Sequence, residues 1–146
     1  MKDLDVIIIG AGTAGLSARR EVEKKTDKYI VVDDGPLGTT CARVGCMPSK
    51  VLIQVAEDFH RRHSLLEEGI HGGEDLSLDG TKVMQHVRKL RDRFVRGVMG
   101  GMEEWSADKL VRGRATFVND KTIEVNGEHY QAKAIIVATR SRPIVP

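Results

Sequence analysis

The chain has 146 residues, of which 40% are hydrophobic and 30% are charged, a composition typical of a globular domain with one hydrophobic core. Its net charge of +2 gives no reason to expect a nucleic acid or an anionic membrane as partner. The longest early apolar run, Val6 to Ile9, is too short for a signal peptide or a membrane span, so we expect a cytoplasmic location.

The first third of the chain predicts a βαβ unit. Residues 5–9 form an apolar, β-branched run that ends at Gly10, which indicates a buried strand. A helix is predicted over residues 13–25 and a second short strand over residues 29–33. This order favours a parallel sheet. Residues 35–45 are expected to form a loop.

Two long helices are predicted in the middle of the chain. The first covers about residues 49–64, with Pro48 in its first turn, where the missing N–H costs nothing. The second covers about residues 81–104, after a glycine-rich loop over residues 69–80. Its apolar stripe consists of Val83, Val87, Leu90, Phe94 and Val98. Its basic face consists of Arg88, Lys89, Arg91, Arg93 and Arg96, and we interpret it as a solvated helix face rather than a nucleic-acid surface.

Strands are predicted after Lys109. Residues 121–125 alternate, Asn126-Gly127 is a strong hairpin signal, and residues 129–132 form the returning strand. Residues 134–138 are apolar and suit a buried parallel strand. The expected fold class is therefore α/β, with a central parallel sheet, long helices and a small antiparallel β-meander.

A glycine motif follows the first predicted strand. It reads Gly10-Ala11-Gly12-Thr13-Ala14-Gly15, and an acid, Asp33, stands at the end of the second strand. The first glycine permits a tight turn, the second lets a pyrophosphate approach the backbone, and the third lets the helix pack on the strand. The helix N-terminus favours phosphate, and the carboxylate suits ribose hydroxyls. An ordinary glycine turn is the alternative, and the motif does not distinguish NAD from FAD.

The two cysteines, Cys41 and Cys46, are separated by four residues. Cys46 precedes the predicted helix start, where the helix N-terminus and the nearby Lys50 favour a thiolate, so the pair is predicted to be redox-active. Cys41, on the loop side, is expected to be the more exposed of the two. The alternatives are buried inert thiols, a structural disulfide, and a zinc site with His60 and His63, although the spacing does not follow a zinc-finger pattern.

Three segments together resemble the flavoprotein disulfide reductases, and most of all their dihydrolipoamide dehydrogenase group. They are residues 10–15, residues 41–50 with the pattern C-x4-C-x-P-S-K, and residues 135–139. The second pattern is highly specific, and the resemblance covers essentially the whole chain. It implies a Rossmann-like FAD-binding fold in which residues 1–146 form the first segment of the FAD-binding domain. It also implies that an NAD(P) domain and a C-terminal dimerisation domain are absent.

The resemblance also implies roles for individual residues. Cys46 corresponds to the sulfur against the flavin, and Cys41 to the sulfur that meets the substrate. Asp33 corresponds to the acid that holds the adenosine ribose. The other expected FAD-binding residues are Gly10, Gly12, Ala14, Gly15, Gly38, Thr39, Thr40, Gly45, Lys50, Gly113, Ala115, Ala138 and Thr139. No metal is expected.

The function implied is electron exchange between a dithiol or disulfide and NAD(P) through FAD. The expected partners are a small-molecule or lipoyl-type disulfide substrate and, for the longer parent protein, a second copy of itself. Two alternatives remain: a nucleotide-binding segment that is inactive by itself, and a plain NAD dehydrogenase domain, which would leave the cysteine motif unexplained.

The sequence departs from the family pattern at two positions. Thr39 stands where many relatives have a second glycine, and Arg140 stands where the family has glycine after Ala-Thr. Because glycine at such sites permits positive φ or close approach to a cofactor, we expect Arg140 to weaken FAD binding.

Overall fold

The computed structural model describes residues 2–141 and 144–145. The chain divides into two compact units: residues 1–39 with 99–146 form the first, and residues 40–98 form the second. In chain order the elements are β1 (Lys2–Ile9), α1 (Thr13–Val22), β2 (Tyr29–Asp33), α2 (Thr40–Val44), α3 (Cys46–His60), α4 (Gly80–Lys109), β3 (Leu110–Arg112), β4 (Thr116–Asn119), β5 (Thr122–Val125) and β6 (Glu128–Val137).

The first unit is built on one six-stranded sheet in the order β3-β2-β1-β6-β5-β4. Strands β3, β2, β1 and β6 are parallel, and β4, β5 and β6 pair antiparallel, which confirms a parallel sheet with a small meander. Strand β1 lies between β2 and β6, and its Ile7 and Ile8 are fully buried. Its continuous apolar run therefore reflects a strand that is covered on both faces.

Side chains of alternating strand residues form the main core of this unit. Ile7 and Ile9 point to the same face, and Ile8 points to the other. The buried residues of the core cluster are Ile7, Ile9, Ile30, Val32, Ile123, Val125, Tyr130 and Ala132. On the α1 side, the guanidinium of Arg19 lies 4.4 Å from the ring centroid of Trp105, which belongs to the last turns of α4.

The second unit contains α2, α3 and the first five turns of α4. Two short 3₁₀ turns, Arg61–His63 and Gly73–Asp75, lie between α3 and α4. No side chain of α3 is fully buried, whereas Val87 of α4 is only 6% exposed. Among the described residues, no helix is both long enough and apolar enough to span a bilayer.

Several predicted boundaries were wrong. The predicted loop over residues 35–45 contains α2, a single helical turn anchored by buried Ala42. The predicted strands 129–132 and 134–138 are one strand, β6, because its first residues pair with β5 while residues 130–137 run beside β1 without a break. Helix α1 is three residues shorter at its C-terminal end than predicted, α3 begins at Cys46, and α4 extends to Lys109.

An ion pair joins β1 to β6 near the middle of the two strands. Asp5 accepts a hydrogen bond from Thr26 Oγ1 at 2.5 Å, and Lys133 Nζ lies 2.7 Å from its other carboxylate oxygen. The hydrogen bond from Lys133, followed by that from Thr26, lowers the pKa of the Asp5 carboxyl below its usual 3.8. The same contact raises the pKa of Lys133.

The lowered pKa makes this contact a pH-dependent contribution to stability. The contribution is fully present above pH 3.8, the unperturbed value for Asp5, and is lost as the pH falls through the lower pKa of the folded state. Asp5→Asn is therefore expected to lower the Tm at pH 7, and the difference in Tm from the wild type should close only as the pH falls below 3.8. Asp120→Asn, on an exposed turn, is the control and should leave the Tm unchanged. A deficit that persists unchanged at low pH would contradict this explanation.

Candidate functional site

The glycine loop between β1 and α1 leaves no room for side chains at its first and third glycines. Gly10 has φ +113°, and a Cβ there would lie 2.2 Å from the carbonyl oxygen of Ala138. A Cβ on Gly15 would lie 1.8 Å from the carbonyl oxygen of Gly10. Both distances are far below van der Waals contact. The predicted packing roles of these two glycines, the tight turn and the close approach of helix to strand, are therefore confirmed.

Gly12 differs from its neighbours because a Cβ there would have no atom within 4 Å. It is the N-cap of α1, where no side chain forms a capping hydrogen bond, and the first turn of the helix carries no acid. The first backbone N–H groups and the positive end of the helix dipole are thus open to an anion. Internal packing does not require a glycine at position 12. The missing side chain instead leaves an open surface, and that surface suits the pyrophosphate of a dinucleotide.

Asp33, at the end of β2, links the glycine loop to the turn that follows β2. Its Oδ2 accepts a hydrogen bond from the N–H of Ala11 at 2.7 Å, and its Oδ1 accepts one from the N–H of Gly35 at 2.8 Å. Its side chain remains 18% exposed. Because an ionised carboxylate offers about four acceptor positions, about two remain for hydroxyl groups of a ligand. The link to the glycine loop was not foreseen from the sequence.

Two residues that the sequence analysis missed support Asp33. The guanidinium of Arg112, at the end of β3, donates to the carbonyl oxygen of Gly35 at 2.6 Å and lies 3.8 Å from Asp33 Oδ1. The Asn126 side chain donates to the carbonyl oxygen of Arg112 at 2.8 Å. The Asn-Gly turn signal predicted the hairpin but carried no information about this long-range contact.

Gly113, one of the expected FAD-binding residues, has a conformation that contacts within the chain explain. Gly113 has φ +157°, and a Cβ there would lie 2.6 Å from the side-chain oxygen of Asn126. Its N–H donates to the carbonyl oxygen of Asp33 at 3.1 Å. Ala115 packs against the core cluster. The Asn126 side chain thus accounts for the glycine at 113, whatever the segment binds.

The segment that follows β6 contains Ala138, Thr139 and Arg140 and lies at the carboxyl end of the parallel strands. The N–H of Ala138 donates to Ile9 at 2.8 Å. Arg140 has φ +60°, and its Nη2 lies 2.7 Å from the place that a Cβ on Gly35 would occupy and 4.0 Å from an oxygen of Asp34. Since β1 lies between β6 and β2 in the sheet, this side chain reaches across the carboxyl end of β1, where parallel α/β sheets bind ligands.

Both departures from the family glycine pattern fall on left-handed backbone. Thr39 has φ +62° and Arg140 has φ +60°, while Gly38 between β2 and α2 has φ +101°. Residues other than glycine rarely adopt this backbone conformation, and a β-branched residue such as Thr39 does so least readily. Of the two reasons for a glycine at position 140, the structure thus shows the positive φ, and the sequence retains some backbone strain at both sites.

In the second unit, Cys41 and Cys46 form a disulfide with a Cα–Cα distance of 4.8 Å. Cys41 lies in α2, and Cys46 is the first residue of α3. The described residues contain no free cysteine and no group of three or more His, Cys, Asp or Glu side chains able to hold a metal ion. The bonded pair favours a redox-active or a structural disulfide over inert thiols, and it leaves no free sulfur for a zinc site. The His60 and His63 rings contact each other, edge to face.

The exposure of the two cysteines is the reverse of that predicted. Cys41 is half-buried and Cys46 is exposed. Gly45, the N-cap of α3, explains part of this, because a Cβ there would lie 3.0 Å from the carbonyl oxygen of Thr40 and 3.4 Å from the Cα of Cys41. The α3 backbone therefore closes tightly over Cys41. Lys50 is exposed, one turn into the same helix.

The predicted site residues therefore gather in two groups, one in each unit. The first surrounds the carboxyl ends of the parallel strands and includes the glycine loop, Asp33, Gly113, Ala138 and Thr139. The second surrounds the start of α3 and includes Thr40, the disulfide, Gly45 and Lys50.

The glycines of the loop offer a matched test of this geometry. Gly15→Ala should destabilise the chain by about 2 kcal/mol or more, because its methyl group would overlap the Gly10 carbonyl. Gly12→Ala should cost less than about 1 kcal/mol, since its methyl group meets open space. Urea unfolding of both variants measures the difference. Equal destabilisation would contradict the close packing at Gly15.

Comparison with known proteins agrees with this combination. The pyridine nucleotide-disulphide oxidoreductase family matches residues 4–146. A mercuric reductase of Staphylococcus aureus is 32% identical over 99% of this chain and 26% of its own length. A dihydrolipoyl dehydrogenase of Thermus scotoductus is 33% identical over 99% of this chain and 31% of its own length.

A solved structure supports the fold. The HOCl-induced flavoprotein disulfide reductase RclA from Escherichia coli superposes with a TM-score of 0.73 at 19% identity, over 97% of this chain and 29% of its own. The chain thus spans between a quarter and a third of the length of these relatives. With its glycine loop, its cysteine pair and a family match over nearly its whole length, the chain belongs to the pyridine nucleotide-disulphide oxidoreductase family.

Proposed function

We propose that this chain is the first segment, residues 1–146, of the FAD-binding domain of a dithiol/disulfide oxidoreductase that exchanges electrons with NAD(P). The observation that carries the proposal is the Cys41–Cys46 disulfide at the start of a helix, in a chain whose glycine loop also leaves an open surface at Gly12. Either feature alone fits many proteins. Together, within this family, they favour the flavin-dependent reaction.

The residues of the first unit fit a dinucleotide. The open surface at Gly12 and the uncapped start of α1 would hold the pyrophosphate, with Ala14 in the same exposed first turn. Asp33 would accept hydrogen bonds from the adenosine ribose with its remaining acceptor positions. From the family resemblance, the other predicted residues of both groups would line the rest of FAD. When bound, FAD supplies two-electron transfer between the protein dithiol and NAD(P).

The disulfide would react by thiol exchange. A substrate thiolate attacks one sulfur of the pair and forms a mixed disulfide, and the other cysteine leaves as a thiolate. The second substrate thiol then attacks the mixed disulfide. The substrate leaves oxidised to a disulfide, and Cys41 and Cys46 gain the two electrons as a dithiol. The family pattern assigns substrate exchange to Cys41 and the flavin side to Cys46.

Residues at the start of α3 would favour this chemistry. The helix dipole points its positive end at Cys46, which stabilises a thiolate leaving group there. Lys50 adds a cation one turn along the helix. The hydroxyl of Ser49 donates to the carbonyl oxygen of Cys46 at 3.0 Å and fixes the first turn.

The substrate proposed is a small-molecule or lipoyl-type disulfide. The relatives include both dihydrolipoyl dehydrogenases and mercuric reductases at 32–34% identity, so identity alone does not choose between dithiol and mercuric substrates. For the longer parent protein we further propose a homodimer in the cytoplasm. The 146 residues alone would give no turnover.

An absorbance spectrum of the purified chain separates the rival functions. Flavin bands that change on addition of a dithiol support the proposal. A colourless protein that takes up no added FAD would instead indicate a segment that is inactive by itself. Binding of nicotinamide nucleotides without flavin would favour a plain dehydrogenase domain and overturn the proposal.

Arg140 provides a second test. Arg140→Gly is expected to tighten FAD binding by about tenfold, because it clears the carboxyl end of β1 and relaxes a left-handed residue. Arg140→Asn keeps the left-handed conformation accessible while removing the guanidinium, and should give most of the gain. Lys25→Gln removes a positive charge from an exposed position outside the expected FAD-binding residues, and this control should leave FAD affinity unchanged. Equal FAD affinity in the wild type and Arg140→Gly, measured by fluorescence titration, would remove this role.

A further inference from the structure

The N-terminal five turns of α4 carry a basic stripe, defined here as Lys82, His86, Lys89, Arg93 and Arg96. All five side chains are exposed. Their spacing of four, three, four and three residues places them on one face of the helix, over about 21 Å of its length. The stripe is thus a continuous surface rather than scattered charges.

The chain concentrates its positive charge here. Residues 80–98 contain six Lys or Arg side chains and one acid, Asp92, a net charge of +5. Because the whole chain carries +2, all the remaining residues together carry −3. Solubility alone does not require such a segregation, since the rest of the surface is already rich in charges.

The charges of the stripe are largely unsatisfied within the chain. Asp92 pairs with Arg91, at 2.7 Å, and Asp79 lies 3.8 Å from Lys82. Within residues 2–141 and 144–145, no ion pair involves Lys89, Arg93 or Arg96. Lys89 and Arg93 are four residues apart, and Arg93 and Arg96 are three apart, so like charges repel along the helix. The arrangement opposes helix stability and therefore calls for another explanation.

We propose that the basic stripe docks an acidic helix of a partner protein. Acidic side chains repeated at alternating three- and four-residue spacing would match the stripe turn for turn, as charged flanking positions do between paired helices. The neighbouring apolar stripe of α4 is half-buried or buried, with Val87 only 6% exposed, so the docking is electrostatic rather than an apolar helix pairing.

The same surface fits a nucleic acid less well. The stripe contains no Phe, Tyr or Trp side chain on which a base could stack, and the remainder of the chain, at −3, would repel a long phosphate backbone. A membrane also fits poorly, because the apolar residues beside the stripe face the protein rather than solvent.

The test uses the 146-residue chain and two synthetic helical peptides of identical composition. One carries Glu at four-three-four-three spacing, and the other carries the same Glu residues scattered around the helix. Fluorescence anisotropy at low and moderate salt is expected to show tighter binding of the first peptide, weakening as salt screens the charges. A duplex DNA of similar length is the third probe.

Two double variants remove the same charge from different places. Lys89→Gln with Arg93→Gln should weaken binding of the patterned peptide by about fivefold, as expected for two exposed ion pairs. Lys25→Gln with Lys121→Gln, on exposed positions of other elements, should leave it unchanged. Lys89→Arg should retain binding, and circular dichroism checks that each variant keeps its helix.

One pattern of binding supports the docking surface, and every other pattern contradicts it. Preference for the patterned peptide, lost only in the stripe variant, supports the docking surface. Tighter binding of DNA than of either peptide at equal salt would overturn it in favour of a nucleic-acid surface. Equal loss in both double variants, no preference between the peptides, or no binding to any probe would also overturn it. None of these results depends on flavin or on the disulfide.

Discussion

Three backbone segments meet at the end of β1 with no space for a side chain between them, and the arrangement of the first unit depends on this contact. The carbonyl of Ala138 abuts Gly10, and the carbonyl of Gly10 abuts Gly15. The first contact sets the approach of β6 to the glycine loop, and the second sets the approach of α1. Because both are backbone contacts, they leave the surface at Gly12 open while everything beneath it is closely packed. Rigid backbone beneath an open helix N-terminus is the arrangement that binding of a pyrophosphate would require.

Asp33 connects this closely packed backbone to a neighbouring segment. By accepting hydrogen bonds from Ala11 and Gly35, it joins the glycine loop to the turn after β2. Arg112 and Asn126 continue the same network into the β-meander, so hydrogen bonds connect the hairpin turn between β5 and β6 to the glycine loop. The acid that the family resemblance assigns to a ribose thus also has a structural task. A substitution at Asp33 would disturb both the backbone packing and any ligand contact. A substitution at Gly12 would alter the ligand surface without disturbing the packing.

Local patterns in the sequence predicted much of this, and long-range contacts account for the rest. The run at residues 5–9, the glycine motif and Asn126-Gly127 each specify a local conformation. The strand, the glycine turn and the hairpin all form, although β1 begins three residues earlier than predicted. The Arg112–Gly35 contact joins residues 77 positions apart and has no local signature. The exposure of Cys46 relative to Cys41 was predicted wrongly because it depends on α2, a single turn lying within a segment that reads as loop. The division of β6 into two predicted strands failed because pairing with β1, rather than local sequence, keeps the strand continuous.

The central claim is that the cysteine pair and the nucleotide cradle serve one two-electron reaction. Anaerobic addition of one equivalent of dihydrolipoamide to the FAD-loaded full-length oxidoreductase proposed here tests it most directly, with the flavin absorbance and the number of free thiols followed together. Wild-type flavin bands are expected to change as the disulfide is reduced, and Cys41→Ser is expected to abolish the change while FAD stays bound. Reduction of the disulfide to two free thiols with an unchanged flavin spectrum would contradict it.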